Sequence, residues 1–258
     1  MITDSFDNIS EAIISPQAFF GEKNNICDTA IITFSREIYP AVLGKYPNEV
    51  VGEIRAANRI KPLHLINVNG MEIVFYLSEI GSALASTDVI EVNWKTGADK
   101  FVMFGSAGAL DPEITTGKYV IPTAAYRDEG LSYHYAPPAD YIEIRNAAFL
   151  QRLFEDKHIP YVMGKAWTTD AVYMETRELV RKRKSEGCIA VEMELAGVQA
   201  VCDHYGLQLY DFLATGDVVD QEEYTPEGLH EANHSLDKFD VAVEIVKSIK
   251  DANNQRKP

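Results

Sequence analysis

Short apolar, β-branched runs alternate with helical stretches along almost the whole chain, and this alternation constrains the fold more than any other feature. "TAIITF" at 29–34, "KFVMFGSAGAL" at 100–110, "GKYVIPTAAY" at 117–126, "YVMGKAWTTD" at 161–170, "CIAVEME" at 188–194 and "LQLYDFLATGD" at 207–217 read as strands. Helical stretches lie between them: 85–98, ending at Gly97; 146–159; a charged helix closed by Gly187; 195–206; and a final amphipathic helix over 234–250. One hairpin stands apart, with Asn69–Gly70 as its turn and alternating apolar residues on both sides. This order predicts an α/β fold with a central, mostly parallel sheet, mixed at one end and flanked by helices. No linker or internal repeat is visible. One domain is expected over 1–258, with 1–25 and the tail 250–258 peripheral.

With 258 residues, 46% of them hydrophobic, the chain has enough apolar surface for a sizeable core. Its net charge of -15 argues against nucleic acid as a partner, because phosphate neutralisation needs clustered Lys and Arg. The one basic cluster, "RKRK" at 181–184, reads as a solvated helix face. Cys27, Cys188 and Cys202 are too widely spaced for a zinc knuckle or a disulfide framework. No signal peptide or membrane-length apolar run is apparent, so a cytoplasmic location is expected, without membrane association.

"HEANH" at 230–234 matches H-E-x-x-H, the helical zinc motif that sets two imidazoles four residues apart on one face. A zinc hydrolase needs a third protein ligand. Only the terminal helix follows His234, and it contains no histidine. The stretch before the motif is an acidic loop rather than a strand that would shape a cleft. The reading is therefore a helix start after Pro226 and Gly228, with polar residues facing solvent or a pocket, and no metal.

Three other stretches form a stronger set. In "FGSAGAL", glycines after a strand let backbone N–H groups approach an anion, and Ser106 offers a hydroxyl; the same pattern also makes a plain structural turn. In "AVEMELAG", a strand would point Glu192 and Glu194 to one face, where a carboxylate accepts both hydroxyls of a vicinal diol and Met193 packs on apolar surface; solvated acids at a strand end are the alternative. In "FLATGDVVD", Asp217 stands at a strand's C-terminal end, where open α/β sheets place ligands, or else caps a helix.

In this order and spacing, the three stretches resemble the nucleoside phosphorylase family, which includes uridine phosphorylase, bacterial-type purine nucleoside phosphorylase and related nucleosidases. The resemblance spans Thr29 to the final helix, and "VEME" is its most specific part. "YRDEGLSYHYAPP" at 126–138 looks like a uridine phosphorylase segment, and "TTDAVY" at 168–173 like the family's base-pocket turn. The resemblance implies reversible phosphorolysis of a purine or uridine nucleoside to free base and (deoxy)ribose 1-phosphate, with inorganic phosphate as co-substrate and no cofactor or metal. It also implies a homodimer or a homohexamer built from dimers.

Carried over position by position, Glu194 holds the ribose hydroxyls, with Met193 against the sugar and Glu192 nearby. Ser106 and Gly105 bind phosphate. Arg59 reaches a neighbouring subunit's phosphate, and Arg36 substitutes within "TFSREI" for a missing G-D-P-x-R turn. Val172, Tyr173 and Arg177 surround the base, Asp217 protonates it, and His230 falls near an arginine that pairs with that acid. Three departures stand out: Met103 replaces an arginine before the "GS" turn, Pro16 and Gln17 occupy the region of a neighbour-donated histidine, and no glutamine is evident beside Arg177. Met103 keeps a phosphate-independent nucleosidase open as the alternative; a non-catalytic nucleoside binder is a further one.

Overall fold

The computed structural model describes residues 1–219, 224 and 226–255. Part of the acidic loop before the HEANH stretch (220–223 and 225) and the last three residues of the tail lie outside the described residues. Ten strands share one sheet: β1 (Thr29–Thr33), β2 (Asn48–Ala56), β3 (Arg59–Val68), β4 (Met71–Leu77), β5 (Lys100–Ala109), β6 (Tyr119–Asp128), β7 (Tyr141–Glu143), β8 (Tyr161–Thr169), β9 (Cys188–Glu192) and β10 (Gln208–Val218). The helices are α1 (Pro16–Phe20), α2 (Ile38–Lys45), α3 (Ser82–Thr96), α4 (Pro112–Thr115), α5 (Ser132–Tyr135), α6 (Ala147–Asp156), α7 (Arg177–Ser185), α8 (Leu195–Tyr205), α9 (Leu229–His234) and α10 (Asp237–Gln255). The fold is mixed α/β, as the alternation predicts.

The sheet runs β10-β6-β8-β9-β5-β1-β4-β3-β2, and β10 also pairs with β5. Strands β5, β9, β8, β6 and β10 therefore close on themselves, while β1, β4, β3 and β2 extend as an open wing. Closure was not part of the sequence reading, and β5 explains it. Its first half pairs in parallel with β1 up to Phe104, and its second half pairs antiparallel with β9 from Gly108. "GSAGA" is thus strand, not the glycine-rich turn expected. Its small residues serve close approach: a Cβ on Gly108 would lie 2.6 Å from Val219 and 2.9 Å from Val191. Along the edge where β5 changes neighbour, no strand pairs with 105–107 among the described residues.

Side chains alternate across the sheet into two cores. Ile32, Val74 and Phe101 pack with Val89 and Val92 of α3 and Val198 and Val201 of α8. Ile31, Phe75, Val102 and Phe212 pack with Leu150 of α6 and with Phe239 and Ile245 of α10. Asn69 and Gly70 both have positive φ (52° and 85°), as the hairpin signal requires. Gly97, with φ 88°, closes α3. Helix α10 continues through the first part of the tail expected to be peripheral, to Gln255. The basic cluster is not uniformly solvated: Arg183 is 2% exposed and its guanidinium lies 3.4 Å over the Tyr126 ring. No helix among the described residues is long and apolar enough to cross a membrane.

Candidate active site

A cavity of about 710 Å³ opens where β5 exchanges β1 for β9. Phe34, just after β1, faces it together with Gly105, Ser106, Ala107 and Gly108 of β5, Val191 and Glu192 of β9 and Asp217 of β10. The C-terminal ends of parallel strands thus carry the site at a change of strand order, as in other α/β folds.

Local chemistry positions the acids. Strand β9 ends at Glu192 because its Oε2 turns back to accept the amide hydrogens of Glu194 and Leu195, each at 2.7 Å. Its Oε1 accepts the Thr168 hydroxyl, and Thr168 Oγ1 in turn accepts the Ala196 amide at 3.1 Å. The first amides of α8, which have no partner within the helix, are satisfied in this way. Glu192 is accordingly buried at 5% exposure and anchors α8 instead of reaching for substrate. The shared strand face expected for the two glutamates does not exist, since Glu194 is the N-cap of α8.

Glu194 Oε1 accepts the Gly81 amide at 2.6 Å, and Ser82 Oγ donates to the Met193 carbonyl at 3.1 Å. These bonds tie α8 to the start of α3, and the fit is close: a Cβ on Gly197 would lie 2.8 Å from Ser82 Cβ. Burial raises both carboxyls, and each raises or feels its neighbour. Glu192 has three donors to hold its charge, the Glu194 and Leu195 amides and the Thr168 hydroxyl, and Glu194 has two, the Gly81 and Met193 amides, so the pair's proton belongs on Glu194.

Val172 and Tyr173 form a short 3-10 turn after β8 at the rim, and Arg177 opens α7 beside them. Glu175, absent from the sequence reading, also faces the cavity; burial first, then Asp217, push its carboxyl up to about 7. Tyr224 joins the same end, with its hydroxyl bonded to Asp217. The fourth side is α9, which lies tightly on β10: a Cβ on Gly216 would lie 2.8 Å from Ala232 Cβ. From α9, Leu229 and Asn233 face the cavity, and the Ser106 hydroxyl donates to Asn233 Oδ1.

Glu192, Met193, Glu194, Ser106, Gly105, Val172, Tyr173, Arg177 and Asp217 are therefore brought together. Three expected residues are not. Arg59 is held by Asp88 (3.1 Å) and Glu79 (3.7 Å), outside the cavity lining. Arg36 is exposed on the loop after β1. His230 is 79% exposed and turns to Glu37 instead of Asp217. Met103 is buried in the core. The segment 126–138 is a local knot outside the cavity lining: the Arg127 guanidinium donates to Ser132 Oγ (2.8 Å) and to the Pro137 carbonyl (2.6 Å) and stacks on Tyr133. Of the residues missed, Asn233 lay inside the HEANH stretch, and Glu175 sat before a helix-capping Thr176, where an acid reads as a helix-start residue.

One cavity of this partly closed α/β sheet thus gathers Glu192 and Glu194 at the start of α8 with Asp217 near the end of β10. The sequence profile of the phosphorylase superfamily matches residues 28–248, and the chain belongs to that superfamily. A guanosine phosphorylase of Halorubrum lacusprofundi is 28% identical over 159 residues, covering 60% of this chain and 65% of that protein. A DeoD-type purine nucleoside phosphorylase of Bacillus cereus is 24% identical over 152 residues, covering 57% and 65%. The chain thus spans just under two thirds of these curated relatives. Among solved structures, the purine nucleoside phosphorylase of Toxoplasma gondii in complex with immucillin-H superposes with a TM-score of 0.71 at 20% identity, covering 90% of this chain and 93% of that one. The AMP nucleosidase of Bacteroides thetaiotaomicron superposes with a TM-score of 0.69 at 17% identity, covering 89% and 91%. The fold is therefore shared by phosphorylases and hydrolases alike.

Proposed function

We propose that the chain cleaves the N-glycosidic bond of a purine nucleoside, and that water, not phosphate, receives the sugar. This reverses the order of the two readings that the sequence resemblance gives. The observation that carries it is the charge of the cavity: among the described lining residues, Glu175, Glu192, Glu194 and Asp217 face a single cationic side chain, Arg177. Even with one proton shared between Glu192 and Glu194, a phosphate dianion would enter a net negative, poorly solvated site. An oxocarbenium-like sugar, being positive, is stabilised by the same surplus. Glu194 takes the ribose hydroxyls, Met193 packs on the sugar, and Val172 and Tyr173 cover the base. Asp217, coupled to Glu175 and Tyr224, delivers a proton to the departing purine.

Phosphorolysis is the second reading. Ser106 and Gly105 face the cavity, and Arg36 stands two residues from Phe34 on a loop at its edge. The two relatives matched by sequence are named phosphorylases. In that case Arg59 serves a second copy of the chain, in the homodimer or hexamer that the resemblance implies. The exposed Ile60 and Ile80 lie next in sequence to Arg59 and to its partner Glu79, and give such a copy an apolar surface.

The test is base release from inosine, guanosine, adenosine and uridine, each with and without phosphate. The expected result is purine release at a rate indifferent to phosphate, with free ribose as product. Phosphate-dependent release yielding ribose 1-phosphate would establish the second reading.

A further inference from the structure

The HEANH stretch regains significance once the chain is folded. Helix α9 sets His230 and His234 on one face, with ring centroids 4.8 Å apart. The carboxylate of Glu37, from the loop between β1 and α2, lies against both: Oε1 is 3.3 Å from His230 Nε2 and 3.7 Å from His234 Nε2. One ligand atom from each of the three residues falls within 4.8 Å of the others. A tetrahedral ion bound at about 2.0–2.2 Å spaces its ligand atoms about 3.3–3.6 Å apart; the Glu37–His230 separation of 3.3 Å lies in that range, and the 3.7 Å to His234 and the remaining pair, within 4.8 Å, need only a small inward turn of exposed side chains. A third ligand was missing from the sequence only because it was sought near the motif; the fold supplies it from the other end of the chain.

His234 is also held as a ligand should be. Its Nδ1 lies 2.7 Å from Ser35 Oγ, and that hydroxyl oxygen accepts the Ile38 amide at 3.0 Å, so the ring is anchored to the start of α2 with Nε2 turned to Glu37. With an ion bound, Nδ1 keeps the proton and donates it to Ser35 Oγ, leaving the Nε2 lone pair for the metal.

The geometry points to a site for one divalent transition metal ion of the zinc type on Glu37, His230 and His234, with the solvent side completed by water, bracing α9 against the loop after β1. Two imidazoles and one carboxylate favour zinc, nickel or copper over magnesium or calcium. The role is a brace, not a reaction centre. None of the three ligands faces the main cavity, and Glu231, the residue a zinc peptidase would use as base, faces a second cavity of about 390 Å³ beside Lys238. The brace joins two walls of the active-site cavity, since Asn233 of α9 and Phe34 before Ser35 both face it. The inference holds whichever acceptor the enzyme uses.

Tag-free full-length protein, stripped with chelator and desalted, is titrated with Zn²⁺ and separately with Mg²⁺ by calorimetry and thermal melting. The expected result is one Zn²⁺ per chain, with Tm rising by about 5 °C or more at ~100-fold excess over Kd. Mg²⁺ should have no effect. Amide exchange should slow across α9 and the loop after β1. His230→Ala and Glu37→Gln should each abolish the response, and both sites are exposed enough for the variants to fold, which circular dichroism verifies. His134→Ala, at an exposed histidine elsewhere, should keep it. No stoichiometric Zn²⁺, or Zn²⁺ binding that survives both ligand variants, would overturn the inference.

Discussion

The Glu192 carboxylate accepts the backbone amide hydrogen of Glu194 at 2.7 Å, while the Glu194 carboxylate faces the cavity with Gly81 as its backbone donor at 2.6 Å. Two positions apart in sequence, the two acids have opposite jobs. Both have raised pKa values from burial, so the folded chain holds protons that the unfolded chain has released. Stability is therefore greatest below the ordinary carboxylate range and falls as pH rises toward the folded-state values. Glu194→Gln should reduce that fall and raise stability at pH 8 by on the order of 1 kcal/mol, while turnover drops about 10²-fold or more. Glu192→Gln should instead cost about 1–3 kcal/mol, because it sets an amide NH₂ or a weaker acceptor against the α8 amides. Melts and turnover of the two variants at pH 8 check this; equal losses of stability would contradict the division of labour.

Glu175 and Asp217 supply a pH dependence. Burial, and then Asp217, push the Glu175 carboxyl up to about 7, so its protonated form keeps a proton beside Asp217. Base release should decline as pH rises through about 7. Glu175→Gln should flatten that limb, and Asp217→Asn should lower the rate at all pH values by about 10²–10⁴-fold. For stability the sign is the same as for Glu194: the contribution of Glu175 is full below its ordinary 4.5 and is lost by about 7. A pH–rate profile identical in wild type and Glu175→Gln would remove Glu175 from the reaction.

Much of this arrangement was legible before folding. The strands that carry the site were readable because both faces of a central strand are buried, which leaves an apolar run such as Thr29–Thr33. Strand β2 was not, because an edge strand exposed over most of its length has no such run and no clean alternation. The "VEME" acids were visible as chemistry, but not their separation into anchor and ligand, which depends on where β9 stops. The directions of Arg59 and His230 were not legible, because Asp88, Glu79 and Glu37, each well separated in sequence from the side chain it engages, decide them.

Gly108 tests the idea that close packing on β5 shapes the cavity. An added methyl would lie 2.6 Å from Val219, 2.9 Å from Val191 and 3.7 Å from Asp217 Oδ1. Strand pairing with Val191 leaves the backbone little room to yield. Gly108→Ala should cost about 1–3 kcal/mol by overpacking and should push Val219 outward, and with it the end of β10 that carries Asp217, lowering turnover more than it weakens nucleoside binding. Calorimetric binding alongside turnover separates the two effects. A variant with wild-type turnover would mean that the wall moves freely and that the glycine is not required.

Asp211 offers the last test, and it lies away from the cavity. It is fully buried on β10, opposite Met103 in the strand register, and neither carboxylate oxygen has a hydrogen-bond partner. Burial, reinforced by Glu192 and Glu194, pushes its pKa far up, which favours the neutral acid in the fold. A buried polar group without a partner costs about 1–3 kcal/mol, and Val is a good strand former at such a site. Asp211→Val should therefore raise Tm by several degrees, with the gain growing as pH rises, because the wild type then pays more to keep the carboxyl protonated than its unfolded chain does. A lower Tm in the variant would show that the carboxyl finds a partner in the folded protein, and would make Asp211 a third member of the buried acid group behind the cavity-facing Glu194.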